Sequence, residues 1–255
     1  MAANQTHAPK AKDTGRPREH GLREILNAIF YVLRSGGSWR MLPRDYAPWQ
    51  TVYGYFRRWT REGLIESIHD RLRAAVRRAD GRAVCPSAAV LESQSVRTPD
   101  PAGERGYDAG KKIKGRKRHV LVDTLGLLLA VQVTPANVQD REGARTLLSA
   151  GYFLYRWLAC IRADSGYSGQ LVAWVKALRP SGRLHLEIVR RNAERKGFKL
   201  LPKRWIVERT FGWLVKFRRL RLDDEVLTPH SAAMIRLAMI RVMLKRFLLT
   251  FRGII

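Results

Sequence analysis

The sequence is poor in cysteine and histidine, the residues that build disulfide frameworks and zinc sites. Cys85 and Cys160 are the two cysteines, and they lie in unrelated contexts without the spacing of a metal-binding motif. The six histidines are scattered along the chain, so their spacing gives no indication of a zinc site. Two isolated thiols suit a reducing compartment, and we expect a cytoplasmic protein.

Long hydrophobic runs are also missing. The apolar run at residues 125–133 is too short for a bilayer, which needs about 20 apolar residues, and residues 1–20 lack the apolar centre of a signal peptide. The amphipathic tail at residues 231–251 could lie on a membrane surface. An apolar stripe at helical spacing more commonly faces a core, so we expect a helix that packs on the fold and no membrane partner.

Acidic residues are few relative to basic ones. The chain has 22 Asp and Glu against 48 Lys and Arg, which gives a formal net charge of +26. Such a field attracts polyanions and makes their binding salt-dependent, so nucleic acid is the expected partner. Two alternatives remain open: a basic surface that only keeps the protein soluble, and an RNA-binding or ribosome-associated protein, although the usual stacking motifs are missing.

The first part of the chain predicts a tail followed by helices. Residues 1–20 are small, polar and basic, which indicates a disordered tail; its Gly-Arg-Pro-Arg stretch suits either a minor-groove arm or a linker. Residues 21–82 show three apolar patterns at helical spacing, which start near residues 22, 48 and 64. Three short helices with a basic middle one suit a helix-turn-helix DNA-binding domain, and a plain three-helix bundle is the alternative.

The pattern changes near residue 82, so residues 83–255 are predicted to form a second domain. The predicted strands lie at residues 87–92, 119–123, 127–133, 155–161 and 186–189, and the predicted helices at 140–148, 168–178 and 202–213. The second and third strands should form an antiparallel hairpin around a tight turn. The predicted fold class is α/β, a mixed sheet flanked by helices and preceded by a small all-helical domain.

Three acids stand on elements that would hold them rigidly. Glu92 closes an apolar run, Asp164 follows a second run at a glycine-flanked turn, and Glu208 lies in a predicted helix. Magnesium prefers hard oxygen ligands, and two ions about 4 Å apart could support an in-line displacement at phosphorus. Each acid also has a plainer interpretation: an exposed strand end, a turn residue that binds its own backbone, and half of a helical ion pair.

Basic residues near these elements could hold a DNA backbone and offset developing charge. They fall on the predicted middle helix and the turn before it, in the basic run at residues 111–118, and around Glu208. The candidate DNA-binding residues are Arg40, Arg57, Arg58, Lys114, Arg116, Lys117, Arg118, Arg204, Arg209, Lys216, Arg218 and Arg219.

Several motifs, which together span about residues 16–251, are specific enough to carry a resemblance. They lie at residues 26–34, 39–43, 51–53, 93–96, 106–112, 115–119, 122–126, 163–167 and 204–211. Ala163-Asp164-Ser165-Gly166-Tyr167 and the segment from Arg204 to Phe211 look like those that bear the second and third catalytic acids of a known family. The sequence resembles the DDE transposases of bacterial insertion sequences, the group that includes insertion sequences four and five.

The resemblance implies a ribonuclease H-like catalytic domain that cleaves and transfers DNA strands at terminal inverted repeats. It also implies that Glu92, Asp164 and Glu208 bind two Mg²⁺ ions, for which Mn²⁺ could substitute, and are the catalytic residues. The implied partners are double-stranded DNA, both the repeats and the target, and a second subunit in a DNA-bound homodimer. A nucleoid-associated location in a bacterial cytoplasm follows.

The sequence departs from the family at the first acid, where Glu92 stands in place of the aspartate before Ser-Gln-Ser. The family's opening before Gly-Arg-Pro-Arg is replaced by residues 1–14, and its basic residue after the last acid is matched only loosely, by Lys216 or Arg218. The alternative to an active transposase is therefore a catalytically inactive remnant that only binds DNA.

Overall fold

The structure, a computed structural model, describes residues 19–99, 103–151, 157–178, 183–189 and 205–252. The predicted tail at residues 1–20 lies almost entirely outside these ranges. The helices are α1 (Leu22–Ser35), α2 (Trp49–Arg61), α3 (Leu64–Ala79), α4 (Asp140–Gly151), α5 (Gln170–Ala177), α6 (Trp205–Val215) and α7 (Thr228–Arg252). The strands are β1 (Ala88–Arg97), β2 (Gly106–Asp108), β3 (Ile113–Asp123), β4 (Leu128–Pro135), β5 (Cys160–Ala163) and β6 (His185–Ile188).

The strands form one mixed sheet in the order β2-β3-β1-β5-β6, with β4 paired to β3. The hairpin β3–β4 is antiparallel, as predicted. Strand β1 runs antiparallel to β3 and parallel to β5, and β5 runs parallel to β6. Helices cover both faces of this sheet, which confirms the predicted ribonuclease H-like α/β fold.

Each face of the sheet has its own buried core. Val90 and Val122 pack in one cluster with apolar residues of α1–α3, α6 and α7, and we call this side the α7 face. Leu91 and Leu121 pack with α4 and α5 on the other side, the α4 face. Because successive side chains of a strand point to opposite faces, the two clusters assign every strand residue to a side.

Helix α7 is the predicted amphipathic tail, and its apolar residues are buried on the sheet as expected. Met234, Ile235, Ala238 and Met239 are fully buried in the same cluster as Val90. Among the residues that the structure describes, no helix combines the length and the apolar character that crossing a bilayer requires.

The N-terminal helices pack directly against the rest of the chain. Helix α3 ends at Ala79 and β1 begins at Ala88, so the change of structure falls where the composition changes. The buried cluster nevertheless continues from α1–α3 onto the sheet. Gly36, which ends α1 with a φ of 77°, shows how close this packing is: a Cβ there would lie 2.8 Å from Cβ of Arg218.

Two strands are longer than the sequence pattern predicted. Strand β1 continues past Glu92 to Arg97, because it pairs with β3 along that whole stretch. Strand β3 begins at Ile113 and not at residue 119, so most of the basic run belongs to the strand. The short strand β2 was not among the predicted strands.

Most of the charged residues of β3 are buried, which corrects their predicted role in binding DNA. Arg116 has no exposed surface; it donates to Asp223 Oδ1 at 3.0 Å and to the Val226 carbonyl at 2.8 Å. Arg118 is 2% exposed and donates to the Leu220 carbonyl at 2.8 Å. These guanidinium groups bind protein oxygens across the α7 face, so they do not belong to a DNA-binding surface.

Lys117 and Arg219 are also buried, which corrects their predicted role in binding DNA. Lys117 Nζ lies on the α4 face, 2.9 Å from Asp140 Oδ1 and 3.5 Å from Asp108 Oδ2. Arg219 Nε donates to Glu225 Oε1 at 2.9 Å. Burial raises the pKa of Glu225 above its ordinary value, and the Arg219 charge acts in the opposite direction.

Asp123 connects the hairpin to the N-terminal helices. It is fully buried and pairs with Arg77 of α3. Its Oδ1 also accepts the backbone N–H groups of Leu125 at 2.9 Å and Leu127 at 2.8 Å, which fixes the turn between β3 and β4. The Val-Asp-Thr-Leu-Gly segment thus has a structural role in this turn.

Candidate active site

Glu92 lies in the middle of β1 rather than at its end. It shares the α7 face with Val90, since Leu91 between them packs in the other cluster. Its carboxylate is half-buried, and Oε1 accepts the backbone N–H of Ser93 at 3.1 Å. The central ladder of the sheet therefore fixes the position of the first acid, and β1 continues beyond it.

Asp164 follows β5 directly. Its backbone is extended, with φ −78° and ψ 179°, and its Oδ1 accepts the N–H of Gly166 at 2.9 Å, which caps a short 3-10 turn at Ser165–Tyr167. The plainer interpretation of Asp164 was a turn residue that binds its own backbone, and the structure contains this turn. The cap uses one carboxylate oxygen, and this hydrogen bond holds the carboxylate in place.

The register of the sheet brings the first two acids together. Ala88 of β1 pairs with Cys160 of β5, and Val90 pairs with Arg162. The same register, extended by two residues, would place Glu92 beside Asp164. Neighbouring parallel strands are about 4.8 Å apart, and directly paired residues point to the same face. Alternation along the two strands therefore predicts both carboxylates on the α7 face.

Tyr167 lies near Glu92 and Asp164 and packs in the core of the α4 face. Its ring is buried. Burial raises the pKa of its hydroxyl above the ordinary value, and the negative charges of Glu92, Asp140 and Asp164 raise it further. The hydroxyl therefore stays protonated beside three carboxylates. Sequence reasoning did not assign a role to Tyr167, although it lies in the Asp-Ser-Gly-Tyr segment.

A polar network supports β1 beneath Glu92. Ser93 Oγ donates to Asp140 Oδ1 at 2.8 Å, and Lys117 binds the same oxygen. Burial alone would raise the pKa of Asp140, but hydrogen bonds from Lys117 and Ser93 hold it below its ordinary value. Asp140 begins α4, so this ionised carboxylate joins the start of a helix to the strand that carries Glu92. No spacing in the sequence indicated these pairs.

Glu208 lies in the first turn of α6. Ile206 and Val207 are buried in the same cluster as Val90, while Glu208 itself is exposed. Helix α6 contacts β1, so the third acid stands on a helix that covers the face of Glu92 and Asp164. Among the residues that the structure describes, the ligand oxygens of the three acids do not all lie within 4.8 Å of one another.

Arg209, next to Glu208, connects α6 to the β3–β4 hairpin. Its guanidinium lies between the rings of Trp205 and Trp213, 4.5 Å and 5.0 Å from their centres, and donates to the Leu125 carbonyl at 2.9 Å. Thr210 Oγ1 donates to the Gly126 carbonyl at 2.8 Å. Together these contacts set the position of the helix that carries the third acid.

The remaining basic candidates differ in exposure. The exposed ones are Arg40, Arg57, Lys114, Lys216 and Arg218, and Arg58 and Arg209 are half-buried. Arg57 and Arg58 of α2 lie over the rings of Tyr53 and Tyr55, at 5.9 Å and 4.6 Å. Arg204 lies outside the described residues. The exposed candidates come from the N-terminal helices, from β3 and from the segment after α6.

Comparison with known proteins agrees with this arrangement. The sequence model of the family described as "Transposase DDE domain" matches residues 84–243, and a second model, described as a transposase of the IS4/5 family, matches residues 3–69. A protein of Burkholderia cepacia named as a transposase for insertion sequence element IS402 is 35% identical over 131 residues, which cover 48% of this chain and 60% of that protein. No solved structure matches the chain significantly.

The first family match extends over most of the chain and contains Glu92, Asp164 and Glu208. Members of this family generally use divalent metal ions, and the oxygen ligands of these three acids are of the kind that such ions prefer. The chain belongs to the DDE transposases of the IS4/5 group.

Proposed function

We propose that this chain is a transposase that cleaves DNA at the terminal inverted repeats of an insertion sequence and joins the freed ends to target DNA. The proposal is supported by the parallel register of β1 and β5, which would place Glu92 beside Asp164 when extended by two residues, in a chain of the DDE family. The helix that carries Glu208 covers that same face.

The three acids would hold two Mg²⁺ ions, for which Mn²⁺ can substitute. Ions bound there supply Lewis-acid activation of the attacking oxygen and stabilise the leaving oxygen of an in-line displacement at phosphorus. The chain's own residues fix the acids: Ser93 donates its N–H to Glu92, and Gly166 donates its N–H to Asp164. The protonated Tyr167 adds no charge beside them.

Glutamate at the first position should lower the rate without abolishing it. Its side chain has the same ligand atoms as aspartate and one more methylene, so its oxygens reach about 1 Å further. A displacement of about 1 Å can cost roughly a hundredfold in rate. On this proposal, a glutamate at position 92 predicts a slow enzyme.

Exposed basic residues would hold the DNA backbone. Arg57 and Arg58 on α2 suit a recognition helix in the major groove, with Arg40 beside it. Lys114, Arg209, Lys216 and Arg218 lie on β3, on α6 or just after it. Cleavage at two element ends calls for two active sites, so we propose a homodimer on DNA.

The test is cleavage of a duplex that carries the inverted repeats found on either side of the gene. Purified protein with Mg²⁺ or Mn²⁺ should nick the repeat end, and Asp164→Asn should remove this activity while it leaves repeat binding intact. Glu92→Asp should raise the rate, by up to about a hundredfold. A lower rate for Glu92→Asp would show that our account of this position is wrong.

The second candidate is a DNA-binding remnant without catalysis, which the glutamate at the first acid position favours. Both candidates predict salt-sensitive binding to the repeats, so binding alone does not separate them. The remnant is supported if the wild type binds the repeats but shows no metal-dependent nicking, and if Glu92→Asp does not restore it.

A further inference from the structure

A second group of metal-binding side chains lies on the same sheet, away from the three acids. Cys160 begins β5, and His185 and Glu187 belong to β6. The ligand atoms of these three residues all lie within 4.8 Å of one another. We propose that Cys160, His185 and Glu187 bind a zinc ion, and we call this group the β5–β6 site.

The pairing of the two strands explains why these residues meet. Cys160 is directly opposite His185, and Glu187 follows two residues later on the same side of β6. Cys160 Sγ donates to Glu187 Oε2 at 3.4 Å, so thiol and carboxylate are already in contact. Ile161 and Leu186, which alternate with the ligands, pack in the core of the α4 face, and the site therefore opens on the α7 face.

The chemistry of the β5–β6 site differs from that of the acids. A thiolate, an imidazole and a carboxylate form the mixed set that zinc prefers, whereas an all-oxygen set suits magnesium. Zinc bonds of about 2.0–2.3 Å place tetrahedral ligand atoms roughly 3.3–3.8 Å apart, so side-chain movements of about 1 Å would close this group around an ion. His185 and Glu187 are exposed, which leaves a fourth position for water.

Arg162 lies beside this group, with Nε 2.9 Å from Glu187 Oε2. It does not oppose zinc binding, because Zn²⁺ together with a thiolate and a carboxylate carries no net charge. A carboxylate has two oxygens and can bind a metal ion and a guanidinium together. Arg162 would then orient the carboxylate as an outer-shell partner.

Zinc at this place would hold β5 in position. Strand β5 has four residues, and Asp164 follows it directly. Cys160 precedes Asp164 by four residues, about 13 Å along an extended chain, so the two sites cannot share an ion. A zinc link between β5 and β6 would therefore stabilise the strand that positions the second acid, whether or not the chain cleaves DNA.

The experiment uses the full chain, freed of metal by dialysis against a chelator. Zn²⁺ is titrated in competition with a chromophoric chelator, and Co²⁺ is added separately because a Co²⁺–thiolate bond produces a charge-transfer band. We expect one zinc per chain and a thiolate band. Cys160→Ser should abolish the band, and both Cys160→Ser and His185→Ala should weaken zinc binding at least about tenfold, since even outer-shell losses have that effect.

Cys85→Ser is the matched control, because Cys85 is an exposed cysteine that does not belong to the group of ligands. It should keep the band and the zinc affinity, and Asp164→Asn should do the same. Circular dichroism without metal checks that each variant is folded, and the exposed His185 supplies a usable variant if Cys160→Ser fails to fold. A wild type without the band, a band that survives in Cys160→Ser, or unchanged zinc affinity in a folded His185→Ala would overturn the proposal.

Discussion

Two stretches of this chain, one in β3 and one in α2, are both rich in arginine but differ in burial. Arg116 and Arg118 of β3 are 0% and 2% exposed and bind protein oxygens. Arg57 of α2 is exposed, and its guanidinium lies over a tyrosine ring. The net charge of +26 is thus not all available to a polyanion, because part of it is neutralised within the fold.

The acceptors of the β3 charges come from distant parts of the chain. Asp223, which pairs with Arg116, lies 107 residues further on, and the carbonyls that bind Arg118 belong to the same late segment. The sequence of helix α2 contains no acidic residue. A basic run therefore indicates DNA binding only where the fold brings no acceptors to it.

The largest expected effect is on folding, from Arg116→Met. The substitution leaves the buried carboxylate of Asp223 without the guanidinium that pairs with it, so the free energy of unfolding should fall by about 3–5 kcal/mol. Urea unfolding followed by circular dichroism measures this change. Arg57→Met is the matched control and should change stability by less than about 0.5 kcal/mol. Similar losses in the two variants would remove the contrast between β3 and α2.

A smaller effect concerns His119, also in β3 and fully buried. Burial, opposed by the charge of Asp140, lowers its pKa to about 4 from an ordinary 6.5. The unfolded chain therefore binds more protons between these values, and stability should fall as the pH drops through this window. From pH 7 to pH 5 the loss should be about 2 kcal/mol, because each pKa unit corresponds to about 1.4 kcal/mol.

The His119→Gln variant isolates this contribution. His69 and His230, whose pKa values are also lowered mainly by burial, titrate in both proteins and cancel in the comparison. Urea unfolding at pH 5, 6 and 7 should show a shallower pH dependence for the variant. Parallel curves for the two proteins would mean that His119 has the same pKa in the folded and unfolded chains, which would contradict the prediction.

The smallest energetic effect should come from Arg57→Ala on α2. Loss of one phosphate contact should weaken DNA binding about equally for all sequences and lower the salt slope by about one. Arg145→Ala is the control, because Arg145 lies over the Trp174 ring at 5.8 Å on the opposite face of the sheet. Fluorescence anisotropy at several salt concentrations measures both slopes. Equal slopes for the two variants would argue against α2 as the DNA-binding helix.

Periodicity was sufficient to predict the helices and most of the strands, because alternation and helical spacing are local properties. It did not predict β2, and the strand predicted at residues 155–161 overlaps β5 only at its first two residues. It did not predict that β1 continues through Ser93 to Arg97, since those polar residues are held by pairing with β3. The three acids could be singled out from their motifs. Their supporting contacts could not, because Asp140 and Tyr167 reach the site only through the fold.

The β5–β6 site shows the same limit. The spacing of cysteine and histidine along the chain gave no sign of a zinc site, because the three ligands come from two strands. Cys160 and His185 are 25 positions apart in sequence and directly paired in the sheet. Ligand spacing in sequence detects a metal site within one loop or helix and overlooks one that is built across strands.

The most direct test of the account is a double-mutant cycle on the acids, read out as Mn²⁺-dependent nicking of the repeat duplex. If Asp164 and Glu208 serve one site, Asp164→Asn and Glu208→Gln should each reduce nicking to background, and the double variant should lose no more than either single one. Repeat binding measured without metal should stay unchanged in all three. Full nicking by Glu208→Gln, or losses that add up in the double variant, would contradict a common site for the two acids.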